Sequence, residues 1–301
     1  MLAGIAIGDA FGRYYENKTR SEILEVARFD RYLQEEVRYS DDTQMSLAVA
    51  ELMVSPLPFT AEALASNFIY AWKRDRRRGY STRTQKVLEE SHTGAEFLEL
   101  YRREDPASIR SNGSAMRALP LGLLPHVGSV LATSLINSEI THAHPEAVKA
   151  SICVSLLAHY FYYRLGPPDV AVEYVLEMTS RICPDAGDYL WKVAALTDTD
   201  YSVLLDVHAE RGLPCDALMT LGVVLHIARR WFDDPFEALR QSILVGGDVD
   251  SVASLVLGAV LMLHPLESLP PFLLEDLENL NYGRNYILEL GGKLSKIYIT
   301  G

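Results

Sequence analysis

The sequence predicts an all-α protein, and two observations lead to that prediction. Apolar residues recur at helical spacing in segment after segment, and capping or stopping residues bound each segment. No pair of segments has the pattern of a β-hairpin, and strands do not alternate with helices as a parallel sheet requires. The 301 residues contain no low-complexity linker and no repeat of fixed period, so we expect one compact multi-helix domain over residues 1–301.

The punctuation of the chain predicts individual helices. An apolar stripe beginning at Thr43 stops at Pro56, and Thr60 caps a helix from Ala61 to about Arg77. Asp234 caps a helix that opens with Pro235 and stops at Gly246 and Gly247. Further helices are expected over residues 84–103, 114–124, 129–138, 145–165, 168–182, 200–211, 215–231 and 281–298. The last of these could instead end in a short strand at 296–299.

The most hydrophobic run, residues 252–263, predicts a helix buried in the middle of the domain. Asp248 and Asp250 stand at its entrance. Burying charge costs several kcal/mol unless the charge is paired, hydrogen-bonded or bound to a metal, so this placement needs an explanation. Helix capping explains one of the two carboxylates, because the free N–H groups of a first turn stabilise an anion.

The net charge of −12 and the pI near 5.1 exclude bulk electrostatic binding of nucleic acid or of an anionic membrane. One basic cluster, residues 73–78, is an exception to the acidic composition of the chain. A solvated last helical turn explains it better than a phosphate-binding patch does, because cations suit the end of a helix.

Three scattered cysteines, Cys153, Cys183 and Cys215, are too few for a disulfide framework or a zinc site. The apolar start lacks the basic region of a signal peptide, and the run at 252–263 is too short to cross a bilayer. We therefore expect a soluble, cytoplasmic, monomeric protein without a membrane partner.

A second pair of carboxylates, Asp41 and Asp42, begins the helix that follows Ser40. Adjacent side chains on a helix point in different directions, so the two can reach two different ions. Together with Asp248 and Asp250 they give four carboxylates at two helix N-termini. Oxygen ligands without clustered His or Cys suit hard cations such as Mg²⁺ or Mn²⁺, and two such ions form a common catalytic arrangement.

Several motifs resemble those of the ADP-ribosylglycohydrolases, and they follow in that family's order. Residues 8–16 resemble its G-D-A-x-G-x-x-x-E opening, and residues 40–45 resemble its T-D-D-T-x-M motif. The remaining matches are residues 78–81, 111–117, 141–145 and 247–251. Serine stands at 40 and 251 where the family usually has threonine, and each keeps the hydroxyl oxygen that a metal would need.

The resemblance implies an orthogonal helical bundle with a binuclear magnesium or manganese site that cleaves the bond between ADP-ribose and an acceptor. Carried over by position, the metal ligands would be Ser40, Asp41, Asp42, Asp248, Asp250 and Ser251. Catalysis would rest on Glu16, Asp41 and Asp250, with Glu16 either binding a metal or positioning the water. The substrate-binding residues would be Gly79, Tyr80, Ser81, Asn112, Gly113, Ser114 and His142.

Two neighbouring residues have other expected roles. Asp9 is expected to brace the backbone, and Arg117 to face a phosphate or to form a salt bridge in the substrate wall. The leading hypothesis is a metal-dependent hydrolase that removes ADP-ribose from a protein or small-molecule acceptor, with ADP-ribosyl-arginine favoured.

Two other classes of protein fit parts of the pattern. One alternative is a non-catalytic protein that binds ADP-ribose or blocks a toxin on the same scaffold. A prenyl-synthase type of diphosphate enzyme would need D-D-x-x-D, and Met45 occupies the last of those positions. Because all six metal positions keep an oxygen ligand, the hydrolase is favoured over both.

Overall fold

The structure is a computed structural model that describes residues 1–181, 190, 192–193, 196 and 211–298. These ranges contain fourteen α-helices and no β-strand, which confirms the all-α prediction. In chain order the helices are α1 Leu2–Gly12, α2 Arg20–Val26, α3 Asp41–Val54, α4 Ala61–Arg74, α5 Thr82–Glu90, α6 Gly94–Arg103, α7 Val127–Glu139, α8 Pro145–Tyr163, α9 Ala171–Ser180, α10 Ala217–Arg230, α11 Pro235–Leu244, α12 Val249–Val260, α13 Phe272–Glu275 and α14 Arg284–Ile297. Among the described helices, none combines the length and the apolar composition that a membrane span requires.

Helices α1 and α12 pack against each other in the core, and α3 contacts both. Every residue of α12 is buried, as the apolar run predicts. Glycines at every fourth position of α1 allow the close approach, because their backbone lies against the backbone of α12. A Cβ atom on Gly8 would lie 2.2 Å from the carbonyl oxygen of Ala253. The C-terminal end of α1 is thereby held beside the N-terminal end of α12.

Substituting Gly8 with alanine should lower the free energy of unfolding by about 2–4 kcal/mol, because the two helices must separate to admit the methyl group. Gly292 is the matched control: it lies in α14, and a Cβ there meets nothing within 4 Å. Gly292→Ala should raise stability by up to about 1 kcal/mol. Urea denaturation followed by circular dichroism measures both changes, and an equal response of the two variants would contradict the packing account.

Several predicted helices differ from the observed ones. The segment 84–103 is two helices, because the Thr93 side chain accepts the Glu96 N–H and starts a new one. Residues 114–124 do not form one helix. A short 3₁₀ turn, Asn112–Ser114, ends where this segment begins, and a second one, Leu119–Leu123, lies within it. Pro120 supplies no N–H for a continuous helix. The helix at 168–182 is observed as a 3₁₀ turn followed by α9.

The ends of two helices differ from the predicted ends by a few residues. Helix α4 ends at Arg74 instead of about Arg77, because Asp75 adopts an extended conformation and its carbonyl accepts a hydrogen bond from Gln44. The proposed strand at 296–299 was wrong for Lys296 and Ile297, which belong to α14. Ile299, Cys183 and the predicted helix at 200–211, apart from Arg211, lie outside the described residues.

Candidate active site

A cleft of about 300 Å³ lies where α1 ends and where α3 and α12 begin. It gathers residues that are more than two hundred positions apart in the chain. The predicted site residues that line it are Glu16, Asp41, Asp42, Gly79, Tyr80, Ser81, Asn112, Gly113, His142, Asp248, Asp250 and Ser251. Two predicted site residues do not line it. Ser40 is buried behind the cleft wall, and the Ser114 hydroxyl donates to the Ala147 carbonyl in the core.

Asp9 holds the start of α3 in place, which is the bracing role expected for it. Its carboxylate accepts hydrogen bonds from the N–H and hydroxyl of Ser40, at 2.9 and 2.8 Å. It also accepts bonds from the N–H and hydroxyl of Thr43, at 3.0 and 2.6 Å. Ser40 occupies the N-cap position without capping the helix through its own side chain. A carboxylate from α1 therefore does the capping and fixes Asp41 and Asp42 relative to α1.

The loop after α1 is tied to the loop before α12. The Asn17 N–H donates to the Gly247 carbonyl, and the Gly247 N–H donates to the Lys18 carbonyl, both at 2.8 Å. The Asp248 N–H donates to the Leu213 carbonyl at 2.9 Å, beside an isolated parallel β-bridge between Leu213 and Gly247. These bonds bring Glu16 and Asp248 to one end of the cleft.

Asp248 stands at the N-cap position of α12 but makes no capping hydrogen bond with its side chain. Its carboxylate accepts a 2.7 Å bond from the side-chain amide of Asn112, whose oxygen accepts a 3.1 Å bond from the Cys215 thiol. The Asp250 carboxylate instead accepts the N–H of Ser251 at 3.0 Å. Asp250 thus satisfies a first-turn N–H, as expected for one of the two carboxylates, and both carboxylates line the cleft.

The carboxylates at this end of the cleft repel one another. Burial, with repulsion from Asp9, Asp248 and Glu16, raises the pKa of Asp41 to about 8. Burial and neighbouring carboxylates also raise the pKa values of Asp42 and Asp250 well above the ordinary range. In the described part of the chain, no lysine or arginine forms an ion pair with any of these groups. The end of the cleft formed by Glu16, Asp41, Asp42, Asp248 and Asp250, here called the carboxylate end, therefore has an excess of negative charge, which Arg13 near Glu16 and Arg117 near Asp41 offset only in part.

This repulsion predicts how the stability of the metal-free protein depends on pH. The folded state holds the Asp41 proton up to about pH 8, whereas the unfolded chain loses it near the ordinary pKa of 3.8. Stability is therefore lost as pH rises through the folded-state pKa. His142 has the opposite effect on stability. Burial lowers its pKa to about 3, so its contribution to stability rises with pH and stops rising near its ordinary pKa of 6.5.

In EDTA, the free energy of unfolding should fall by about 1–2 kcal/mol between about pH 6.5 and about pH 8.5. Millimolar Mg²⁺ should remove most of that fall, because a bound cation stabilises the ionised carboxylates. Denaturant titrations at a series of pH values measure the effect. Stability that rises over this pH interval without metal would contradict the electrostatic description.

The donor set fits a hard divalent cation. The carboxylate end offers carboxylate and hydroxyl oxygens, which are the ligands that Mg²⁺ and Mn²⁺ prefer, and its negative charge favours a cation. Within the residues that the structure describes, no three acidic, histidine or cysteine side chains converge into a ready-made ligand set. The residues therefore suit such an ion by chemistry and charge, and binding would require their side chains to rotate.

The loop at residues 78–81, here called the Gly79 loop, covers Asp41. The Asp41 N–H donates to the Arg78 carbonyl at 3.0 Å, and the Tyr80 hydroxyl donates to the Gln44 side chain at 2.8 Å. Gly79 has φ of +104°, and a Cβ on it would lie 1.7 Å from a carboxylate oxygen of Asp41. Only glycine fits between the loop and this carboxylate.

Arg117 lies almost fully buried in another wall of the cleft, and it forms no salt bridge with any residue that the structure describes, which argues against one of its two expected roles. Its guanidinium donates to neutral groups: the Asn137 side chain and carbonyl, the Gly113 carbonyl and the Thr141 hydroxyl, at 2.7–2.8 Å. Burial lowers its pKa to about 10, so it stays charged at neutral pH. The His142 ring bonds to Thr141 and to Ser111, at 2.7 and 2.9 Å. This wall is therefore positive where the carboxylate end is negative.

Sequence reasoning missed some cleft residues. Cys215 was treated as a scattered thiol, yet it orients the amide that holds Asp248. Tyr101 lines the cleft from α6, and its hydroxyl lies 2.7 Å from that of Thr84. The pairing of Leu213 with Gly247 is long-range and has no local sequence signal. For Tyr101, the apolar face of its helix indicated burial but not a place in the cleft.

Known proteins are similar to this chain over most of its length. The ADP-ribosylglycohydrolase family model matches residues 1–300. An ADP-ribosylhydrolase ARH3 of Xenopus tropicalis is 22% identical over 306 residues, covering 89% of this chain and 87% of its own. The ADP-ribosyl-[dinitrogen reductase] glycohydrolase of Rhodospirillum rubrum is 24% identical over 270 residues, covering 84% and 80%.

A solved structure shares the fold. The chain titled ADP-ribosylglycohydrolase-related protein complex superposes with a TM-score of 0.73 at 21% identity, covering 99% of this chain and 96% of that one. The helical architecture and the whole-length family match therefore agree. This chain belongs to the ADP-ribosylglycohydrolase family and is an enzyme that hydrolyses ADP-ribose linkages.

Proposed function

We propose that the cleft removes ADP-ribose from arginine side chains of proteins, with two Mg²⁺ or Mn²⁺ ions as cofactors. The observation that carries the proposal is the carboxylate end itself, where five acidic side chains meet and, within the described ranges, none forms an ion pair with lysine or arginine. A guanidinium acceptor is cationic, and five ionised carboxylates exceed the four positive charges of two divalent ions by one, so this end of the cleft attracts the acceptor even with the ions bound.

Two pairs of carboxylates and two hydroxyls would hold the ions. They are Asp41, Asp42, Asp248, Asp250 and Ser251, which line the cleft, and Ser40, which lies behind the cleft wall and donates its hydroxyl to Asp9. When bound, the ions supply Lewis-acid polarisation and fix the ribose hydroxyls and the attacking water. Asp9 and Asn112 support this set, because Asp9 fixes the start of α3 and Asn112 orients the Asp248 carboxylate.

Glu16 is suited to accept the proton of the attacking water, or to stabilise positive charge that builds on the anomeric carbon. Its pKa is raised by burial and by repulsion from Asp248, which makes its carboxylate a stronger base. The side-chain amide of Asn17 donates to it at 3.1 Å and orients it. The bond to the acceptor breaks at this end of the cleft.

The diphosphate would lie against the wall that contains Arg117. Arg117 supplies positive charge there, with neutral hydrogen-bond partners in the described part of the chain, and the backbone of Asn112, Gly113 and Ser114 forms a short 3₁₀ turn beside it. A cation that is hydrogen-bonded only to neutral groups keeps its field available to an anion. Gly79, Tyr80, Ser81 and His142 would complete the substrate wall.

The test is the release of ADP-ribose from peptides that carry ADP-ribosyl-arginine or ADP-ribosyl-serine, with Mg²⁺, with Mn²⁺ or with EDTA. We expect release from the arginine linkage that requires metal and is restored when metal is added back after EDTA. Release from serine alone would overturn the acceptor assignment. Release that EDTA leaves unchanged would overturn the metal assignment.

A further inference from the structure

A second cavity of about 320 Å³ lies beside the cleft, and arginines dominate its lining. We call it the arginine groove, and its five arginines are Arg13, Arg38, Arg76, Arg77 and Arg78. Three of them belong to the basic cluster at 73–78. The prediction of a last helical turn is confirmed for Lys73 and Arg74, which lie in the last turn of α4, and is wrong for residues 76–78, which follow the helix and include the buried Arg77.

Some of these arginines build the groove. Arg77 pairs with Asp75 at 2.6 Å and with Glu278, and its guanidinium stacks 3.9 Å from the centre of the Tyr39 ring. Arg38 also pairs with Glu278, at 3.4 Å. These contacts hold the walls of the groove. They also show that arginines of the groove bind carboxylates of the chain itself.

Arg13 and Arg78 have no such role. Among the described residues, neither guanidinium has an ion-pair or hydrogen-bond partner. Arg78 is exposed, so its charge is available to a ligand, whereas Arg13 is partly exposed and its charge also attracts the Glu16 carboxylate. A guanidinium group in a concave surface suits a planar oxyanion such as a carboxylate, and here two such residues line one cavity.

The groove adjoins the carboxylate end of the cleft. Arg13 lines the groove and Glu16, three residues later, lines the cleft. Arg78 lines the groove and its neighbour Gly79 lines the cleft. The acceptor is attached to the ribose at this end, so residues that flank the modified side chain would pass over the groove.

The charge of the whole chain limits what the groove can hold. A net charge of −12 repels a long polyanion, whereas a short anionic group can use the local field of the two arginines. A single acidic side chain next to the modified residue meets this condition better than a nucleic acid does.

We propose that the arginine groove binds an acidic side chain of the protein acceptor that lies close in sequence to the ADP-ribosylated residue. The proposal rests on the proposed function, because it needs a protein acceptor at the carboxylate end. It makes the groove a determinant of which modified sites are bound and processed.

Binding and turnover are tested separately. Fluorescein-labelled ADP-ribosyl-arginine peptides with Glu or Gln two residues from the modified site are titrated with the full chain in EDTA, and fluorescence polarisation gives Kd. The acidic peptide should bind about fivefold more tightly at low salt, and the advantage should shrink as salt screens the arginines. Arg78→Glu and, as a second variant, Arg13→Gln should abolish most of it. Arg230→Glu, an exposed charge reversal in the last turn of α10, should preserve it.

Equal affinity for the two peptides, or an advantage that survives Arg78→Glu, would overturn the proposal. So would an ADP-ribosylated oligonucleotide that loses affinity in Arg78→Glu while the acidic peptide does not, since the groove would then serve nucleic acid. Turnover of the same peptides with Mg²⁺ is scored independently. No hydrolysis of either peptide would overturn the proposed function and leave the Kd comparison intact.

Discussion

Replacing Asp250 with asparagine should lower kcat/KM by about 1,000-fold or more, equivalent to about 4 kcal/mol of transition-state stabilisation. The same substitution should raise the stability of the metal-free protein. Asp250 is buried, and Asp248, Asp42 and Glu16 repel its charge. Asparagine keeps the shape and removes that charge, so we expect a gain of about 1–3 kcal/mol in EDTA.

Asp233→Asn is the matched control, because Asp233 is exposed on the loop before α11 and carries the same side chain. That variant should leave kcat/KM and stability nearly unchanged. Initial rates with saturating Mg²⁺ and denaturation in EDTA give both quantities. An Asp250→Asn protein that loses stability as well as activity would indicate a structural carboxylate and would count against the site.

Substituting Gly79 with alanine should lower activity by about 100-fold and stability by about 1–3 kcal/mol. The methyl group would overlap the Asp41 carboxylate, and the positive φ of the residue disfavours any side chain. Displacement of Asp41 should weaken metal binding, so part of the lost activity should return at high Mg²⁺ concentration.

Gly128→Ala serves as the control for Gly79→Ala. Gly128 lies in the first turn of α7, and a Cβ there meets nothing within 4 Å. Its activity should match that of the unmodified chain, and the dependence of rate on Mg²⁺ should not change. If Gly79→Ala lowered the rate without raising the Mg²⁺ concentration needed, the link between the loop and Asp41 would be wrong.

Local sequence signals predicted most helices and both groups of carboxylates. The cap at Thr60 and the Asp234–Pro235 start are confirmed by their hydrogen bond and their first turn. The helix predicted over residues 114–124 was wrong. The composition of this segment favours a helix, but tertiary packing and Pro120 favour 3₁₀ turns. Short helices such as α13 had no clear period to predict them.

The candidate site was predictable only in part, because its partners are far apart in sequence. The motifs selected twelve of the residues that line the cleft, but spacing could not show that Asp9 caps α3 or that Cys215 orients Asn112. These contacts depend on the close packing of α1 on α12 and on the pairing of Leu213 with Gly247. Such long-range contacts are set by the whole core.

The most direct test of the central claim is an anomalous-difference map from crystals of the full chain grown with Mn²⁺. The claim is that Asp41 and Asp42 share two divalent ions with Asp248 and Asp250. The account predicts two peaks at the carboxylate end of the cleft, each within ligand distance of a residue from both α3 and the loop before α12. A map without a peak there at saturating Mn²⁺, or with peaks only elsewhere, would contradict it.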